Sequence, residues 1–369
     1  MKVKNNYQEC ITNLACSIEK YFDLTPTHNT LPYIDKLFEE KRPENVVVIL
    51  LDGLGSRILD RTLEENSFLR KHKYKEITTV FPATTTAATT SMQTGLNPIE
   101  HGYLGWNVYI SPIDKIITLY LNTEKGKEKV DNDFLNIKDK YFNIETIPDR
   151  INKEGKYQGM GLFSFKETQY QDLDDMLEKI KQKTKEPGKK YIYAYDDEPD
   201  HTMHEHGPDS KEAKELIKER NDKIERLSNE LENTIIFVIA DHGHKKVTHI
   251  YLNDYPDILE TLKKTTSLEP RATSFHIKEG REEEFKRLFN QYFSKDFNLY
   301  SKEEVIESNL FGTGKEHPLF RSSLGEFLAI AEDSDKCIIA EGDTPLTSQH
   351  AGYLDDEIYI PLIIIDKTS

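Results

Sequence analysis

Two uninterrupted apolar runs, VVVILL at Val46–Leu51 and TIIFVIA at Thr234–Ala240, each stop at an aspartate. A short run without polar alternation, rich in β-branched residues, describes a strand covered on both faces, as in a parallel sheet between layers of helices. Lys75–Val80, Tyr191–Tyr195 and Ile358–Ile365 read as further core strands. Helical periodicity falls between them: from about Ser56 toward Arg70, from about Thr85 to Thr94 in a small-residue segment, and from Ser210 to Asn233. This alternation predicts an α/β fold with a mostly parallel central sheet and helices on both faces. Ligands of such sheets bind beyond the carboxyl ends of the strands, and Asp52, Asp241 and His242 sit there directly.

Apolar positions at Ile11, Leu14, Ala15, Ile18 and Phe22, followed by NTLPYIDKLFEE, predict a helical preface over residues 1–44. The catalytic core is expected over 45–266 and 332–369, with an insertion at about 110–190 whose lysine-rich DLDDMLEKIKQKTKEPGKK is a solvated helix face. A strand–helix–strand pattern over 267–331 predicts a smaller α+β inserted subdomain.

A net charge of −16 over 369 residues weighs against stable nucleic-acid binding through counterion release. Cys10, Cys16 and Cys337 form neither a disulfide framework nor a CxxC metal site. With apolar runs of only about six residues and no signal-like stretch in MKVKNNYQECITNLACSIEK, the expectation is a cytoplasmic protein without a membrane span.

The chemistry lies in segments that are individually ambiguous. Asp52-Gly53 alone describes a turn as well as a ligand. Asp241-His242-Gly243-His244 sets a hard carboxylate beside imidazoles, a pairing that suits zinc or manganese, and His244 and His249 compete with His242 for the ligand role. In EPDHTMHEHGP the spacing of Asp200 and His204 puts both side chains on one face of a helical turn. It does not match HExxH. His350 stands in SQHAGY, and alone reads as a structural histidine. Between the first two segments lies Val80–Gly95, VFPATTTAATTSMQTG. Its threonines serve as helix caps, yet a hydroxyl at a helix N-terminus also sits in a field suited to phosphate. Such a hydroxyl attacks phosphorus at neutral pH only when a cation stabilises its alkoxide.

Read together, these segments resemble the type I phosphodiesterase and nucleotide pyrophosphatase family of the alkaline phosphatase superfamily. The resemblance runs over about Asn45–Asn107 and Tyr191–His244, with a final match at His350. The family's FPxxT segment, closed by TG, selects Thr85 as nucleophile, and its EPDxxxHxxGP matches Glu198–Pro208. The resemblance implies an alkaline phosphatase-like fold and two divalent metal ions, zinc usually and manganese as an alternative. It assigns Asp200, His204 and His350 to one ion, and Asp52, Asp241 and His242 to the other, which Thr85 also touches. Asn107 is the implied donor to a phosphate oxygen.

Two departures stand out. Ala88-Thr89 replaces the family's Asn-His pair, and no arginine follows Thr85 closely, which favours diesters over the more highly charged monoesters. The expected function is hydrolysis of a small-molecule phosphodiester or nucleotide through a covalent phosphothreonine-type intermediate. The alternatives are a phosphomonoesterase, phosphonate hydrolase or phosphomutase on the same metals, or a ligand-binding module without catalysis. Gly312-Thr313-Gly314-Lys315 lacks P-loop spacing. Lys315, His317 and Arg321 are candidates to line the cleft, and Phe81, Trp106 and Tyr109 to stack a base.

Overall fold

Six strands form the central sheet in the spatial order Lys73–Thr78, Tyr359–Lys367, Thr234–Ile239, Asn45–Leu51, Lys190–Asp196 and Gln158–Leu162. The computed structural model describes residues 3–127, 137–163 and 169–368. Stretches 128–136 and 164–168 of the expected insertion lie outside the described residues.

Asn45–Leu51 pairs in parallel with both neighbours, and Gln158–Leu162 runs parallel to Lys190–Asp196. Tyr359–Lys367 runs antiparallel to both strands it joins, so the sheet is mostly parallel with one reversed strand. Every residue of Asn45–Leu51, Lys190–Asp196 and Thr234–Ile239 is buried, the condition their unbroken apolar patterns called for. The helices Ile11–Tyr21 and Pro32–Lys41 contribute Ile11, Leu14, Ile18, Ile34 and Phe38 to the same core as the sheet.

A second sheet is antiparallel and seven-stranded. It joins Asn298–Ser301, Phe327–Ile330, Ala272–Phe275 and Ser267–Leu268 to Asn107–Ile110, Lys115–Thr118 and Thr123–Glu124. Leu268 pairs with Asn107 at the junction, so residues 107–124 and 267–330 share one sheet. The helix Glu282–Phe293 covers it through Phe285, Leu288, Phe289 and Phe293, a stripe at helical spacing.

Element bounds differ from the sequence reading in places. The helix expected from Ser56 toward Arg70 is two helices, Ser56–Thr62 and Phe68–Lys71. Between them the Ser67 hydroxyl donates to the Glu64 carbonyl at 2.6 Å, a local bond that competes with the helical ladder. The helix expected to reach Asn233 ends at Ser228. The strand expected at Lys75–Val80 ends at Thr78, where its ladder with Tyr359–Lys367 stops. No helix among the described residues is long and apolar enough to cross a membrane.

Candidate active site

The parallel register aligns Leu51 with Asp196 and Leu50 with Ile239, so three strands end at one edge of the sheet. Asp52, Asp241 and His242 continue from that edge and are buried. The Asp52 backbone N–H donates to the Asp196 carbonyl at 3.0 Å, and the Asp200 N–H to the Asp52 carbonyl at 3.1 Å. Gly53 takes a left-handed φ of 72°, which aims its N–H at Oδ1 of Asp241, 3.0 Å away. Gly243 packs so closely on the carbonyl of Asp356 that a Cβ there would lie 1.9 Å from the oxygen.

Asp200 and His204 lie on the helix Asp200–His206, as the four-residue spacing predicts. His350 reaches them by another route. Ser348–Gln349 pairs antiparallel with Lys245–Lys246, with Gln349 opposite Lys245, and this delivers His350 beside His242 and His244. Asp200, His204, His244 and His350 each present a donor atom within 4.8 Å of the others. Asp52, Asp200 and His242 form a second such group, so Asp200 is shared. Asp241 adjoins it, with Oδ2 3.5 Å from Nε2 of His242.

The ring nitrogens are sorted by their partners. Nδ1 of His204 faces the Ser348 carbonyl at 2.8 Å, Nδ1 of His242 the Gly243 carbonyl at 3.1 Å, and Nδ1 of His350 the Ala83 carbonyl at 3.1 Å. A carbonyl only accepts, so each Nδ1 carries a hydrogen, and in a neutral ring each Nε2 is left with its lone pair. This outer-shell arrangement orients metal-binding histidines.

The carboxylates tell the same story. Oδ1 of Asp52 and Oδ2 of Asp241 are buried without a hydrogen-bond partner. Among the described residues, no lysine or arginine pairs with Asp52, Asp200 or Asp241. Burial, reinforced by Asp241 and Asp200, pushes Asp52 well above the usual carboxylate range. Burial also raises Asp241, against the opposing pull of His242 and the Gly53 N–H. For Asp200, burial is outweighed by His204 and His244, which hold it well below that range. Burial carries His244 down to about 4. Buried, mutually repelling carboxylates among imidazole lone pairs are a donor set that fits divalent cations.

Thr85 begins the helix Thr85–Thr94, next to the cap residue Thr84. Its Oγ1 is 3.3 Å from Oδ2 of Asp52 and 3.2 Å from Nε2 of His242. The Tyr195 hydroxyl also donates to Oδ2 of Asp52. In the sequence Tyr195 is legible only as a strand residue, and its place at the carboxyl end of the strand Lys190–Asp196 is the one signal that it reaches the site. A cavity of about 490 Å³ opens alongside, lined by Thr89, Thr90, Tyr120, Lys138, Phe163 and Tyr195 among others.

Asn107 begins a strand of the second sheet, and its Oδ1 accepts from the Thr118 hydroxyl at 2.7 Å. It makes no hydrogen bond to Thr85 among those described. His249 is drawn away to the Leu346 carbonyl at 2.8 Å, while His244 joins the Asp200 group instead of displacing His242. Phe81 is buried against Phe311 and Tyr353, and Tyr109 packs on His276. His317 stacks on Phe142 and lines a smaller, 220 Å³ pocket, and Arg321 pairs with Glu316.

A sequence profile described as "Type I phosphodiesterase / nucleotide pyrophosphatase" matches residues 46–163 and 126–352. Among solved structures, murine ectonucleotide pyrophosphatase/phosphodiesterase 5 superposes with a TM-score of 0.67 at 20% identity, covering 86% of this chain and 87% of that one. An inactive form of that murine protein in complex with AMP gives 0.66 at 19%, with the same coverage of both chains. The human protein gives 0.65 at 18%, again with the same coverage. No curated protein matches by sequence.

Proposed function

The chain belongs to the type I phosphodiesterase / nucleotide pyrophosphatase family and is a hydrolase of phosphoester or phosphoanhydride bonds; we propose that it cleaves phosphodiesters or nucleotides through a covalent intermediate on Thr85. The observation that carries this reading is the Thr85 hydroxyl, first in its helix and within 3.3 Å of both Asp52 and His242.

Asp200, His204 and His350 would hold one metal ion, and Asp52, Asp241, His242 and Thr85 a second. Zinc is the favoured metal and manganese the alternative. When bound, two divalent cations supply the positive charge that makes an alkoxide accessible and offsets charge building on phosphate oxygens. Oδ2 of Asp52 draws the Thr85 proton to one side and leaves an oxygen lone pair for phosphorus. The Thr85 oxygen bonds to phosphorus as the bond to the leaving group breaks, its proton passing to Oδ2 of Asp52 and from there to the leaving oxygen. Water then displaces Thr85, releasing the phosphoryl product and restoring the hydroxyl. Thr118 occupies the carbonyl of the Asn107 amide, so its N–H₂ is the end to offer a phosphate oxygen.

The 490 Å³ cavity beside the Thr85 helix is large enough for a nucleoside-sized group. AMP in the murine relative makes nucleotides the first substrates to try. No arginine follows Thr85 closely in the sequence as a phosphate clamp, which supports diesters over the more highly charged monoesters. Three buried, unpaired cysteines support the cytoplasmic reading.

The test compares turnover of bis(p-nitrophenyl) phosphate and p-nitrophenyl phosphate, with and without chelator. The reading expects faster diester cleavage, lost on chelation and restored by zinc or manganese. Faster monoester cleavage would assign a monoesterase, and tight binding without turnover a silent module.

A further inference from the structure

We propose that Glu269 is a positioning residue for the reaction: from the second sheet it ties the turn before Asn107 to the start of the Thr85 helix, and so fixes the amide offered to phosphate. The proposal rests on the reading above, in which Asn107 is the phosphate donor, and adds a residue which that reading does not use.

The backbone brings Glu269 to this place. Leu268 bridges to Asn107 where the two halves of the second sheet meet, and it does so with a left-handed φ of 68° at a buried position. That conformation is uncommon for leucine and persists only where the surroundings fix it. The next residue, Glu269, is buried, and its Oε1 accepts from the Trp106 N–H at 2.7 Å. Asn107 is therefore held at three points: its backbone by Leu268, the residue before it by Glu269, and its side-chain carbonyl by the Thr118 hydroxyl.

The same carboxylate reaches the nucleophile segment. Thr84 stands at the cap position of the Thr85–Thr94 helix, yet its buried hydroxyl makes no bond to that helix and has no hydrogen-bond partner. Burial pushes Glu269 up to about 7, and the Thr84 side chain and the Trp106 N–H pull against that rise. One carboxylate thus acts on the residue before the nucleophile and on the residue before the phosphate donor.

Its charge is not spent on an ion pair. Arg271 lies two residues further on but pairs with Glu357, and among the described residues no lysine or arginine pairs with Glu269. Asp343, whose charge opposes that of Glu269, is itself bound to Lys125 at 2.8 Å. A charged acceptor left to one backbone N–H grips it more firmly than a neutral one.

Trp106 is the only tryptophan in the chain, so its emission reports this turn alone. In the intact, metal-loaded protein at pH 8, Glu269→Ala should red-shift that emission and open it to iodide quenching. Glu269→Gln, which keeps an acceptor for the Trp106 N–H, should stay near the wild type. In turnover of bis(p-nitrophenyl) phosphate, Asn107→Ala should lower kcat by about 10²- to 10³-fold, the effect of losing one donor to charge that builds in the transition state. Glu269→Ala should lower kcat by about 10- to 100-fold through misplacement of that donor, with KM little changed, and Glu269→Gln should recover most of the loss. Combined with Asn107→Ala, Glu269→Ala should add no further loss. Losses that multiply in the double variant, or a Trp106 emission that Glu269→Ala does not move, would overturn the proposal and leave the Thr85 mechanism standing. Full activity of Asn107→Ala would overturn the Asn107 assignment and the proposal with it. If Glu269→Ala loses native circular dichroism, Glu269→Asp carries the same test, because it keeps the charge but withdraws it from Trp106 by one methylene.

Discussion

Oγ1 of Thr85 lies 3.2 Å from Nε2 of His242, a nitrogen whose ring partner Nδ1 is already committed to the Gly243 carbonyl. The hydroxyl has one hydrogen, and Oδ2 of Asp52 at 3.3 Å is the acceptor for it. Thr85, Asp52 and His242 thus form a cluster of oxygen and nitrogen lone pairs that a cation would organise.

Metal binding should release protons. Burial and neighbouring carboxylates hold Asp52 above its ordinary range, and burial does the same for Asp241, so part of the metal-free population keeps a proton where the ion belongs. Affinity should therefore fall as pH falls. Titrating zinc at pH 6 in two buffers of different ionisation enthalpy should give different heats. Equal heats would show that no proton is displaced.

Gly243→Ala should damage the site through the backbone. The added Cβ would lie 1.9 Å from the Asp356 carbonyl oxygen, so the loop carrying Asp241 and His242 must move. A loss of about 1–3 kcal/mol in stability and a fall in bound metal are expected, read by urea unfolding and elemental analysis. Unchanged metal content would show that the loop tolerates the shift.

Arg271 and Glu357 form a fully buried two-point ion pair, with bonds of 2.6 and 2.8 Å. The pair ties the second sheet to the segment that packs on Gly243. Arg271→Ala leaves a buried carboxylate unpaired and should cost about 3–5 kcal/mol in urea unfolding. The double variant Arg271→Met/Glu357→Leu should recover much of that loss. If it recovers none, the pair's remaining hydrogen bonds matter more than its charges.

His276 should make the protein acid-sensitive. Burial in the second sheet lowers its pKa to about 3, from an unfolded value near 6.5. The unfolded chain therefore binds more protons between those values. The stability His276 contributes is present above pH 6.5 and is lost as pH falls toward 3. From pH 7.5 to 5 the loss is about 2 kcal/mol, and His276→Gln should reduce the wild-type decline by that amount. Parallel declines in the two proteins would contradict this.

Much of the fold was legible because its signals are local. VVVILL and TIIFVIA are buried on both faces, as their lack of alternation requires, and the helix read from about Thr85 to Thr94 has those bounds. The strand ends also put Asp52, Asp241 and His242 at one edge. Long-range pairings were not legible. The register of Gln349 against Lys245, which brings His350 in, has no sequence signature of its own. Nor does the pairing of Leu268 with Asn107, which merges two segments that the sequence separates. His244 was visible as a rival to His242, but a pattern of residue types does not show that Gly243 turns the two rings apart.

The central claim is that Thr85 is the nucleophile, and the most direct measurement is turnover of bis(p-nitrophenyl) phosphate by Thr85→Ala with its metal content determined in the same preparation. Removing the hydroxyl deletes the attacking atom and leaves every proposed Asp and His ligand in place. The expected result is native metal content with turnover reduced by roughly 10³ or more. Full wild-type turnover in the metal-loaded variant would contradict the covalent mechanism.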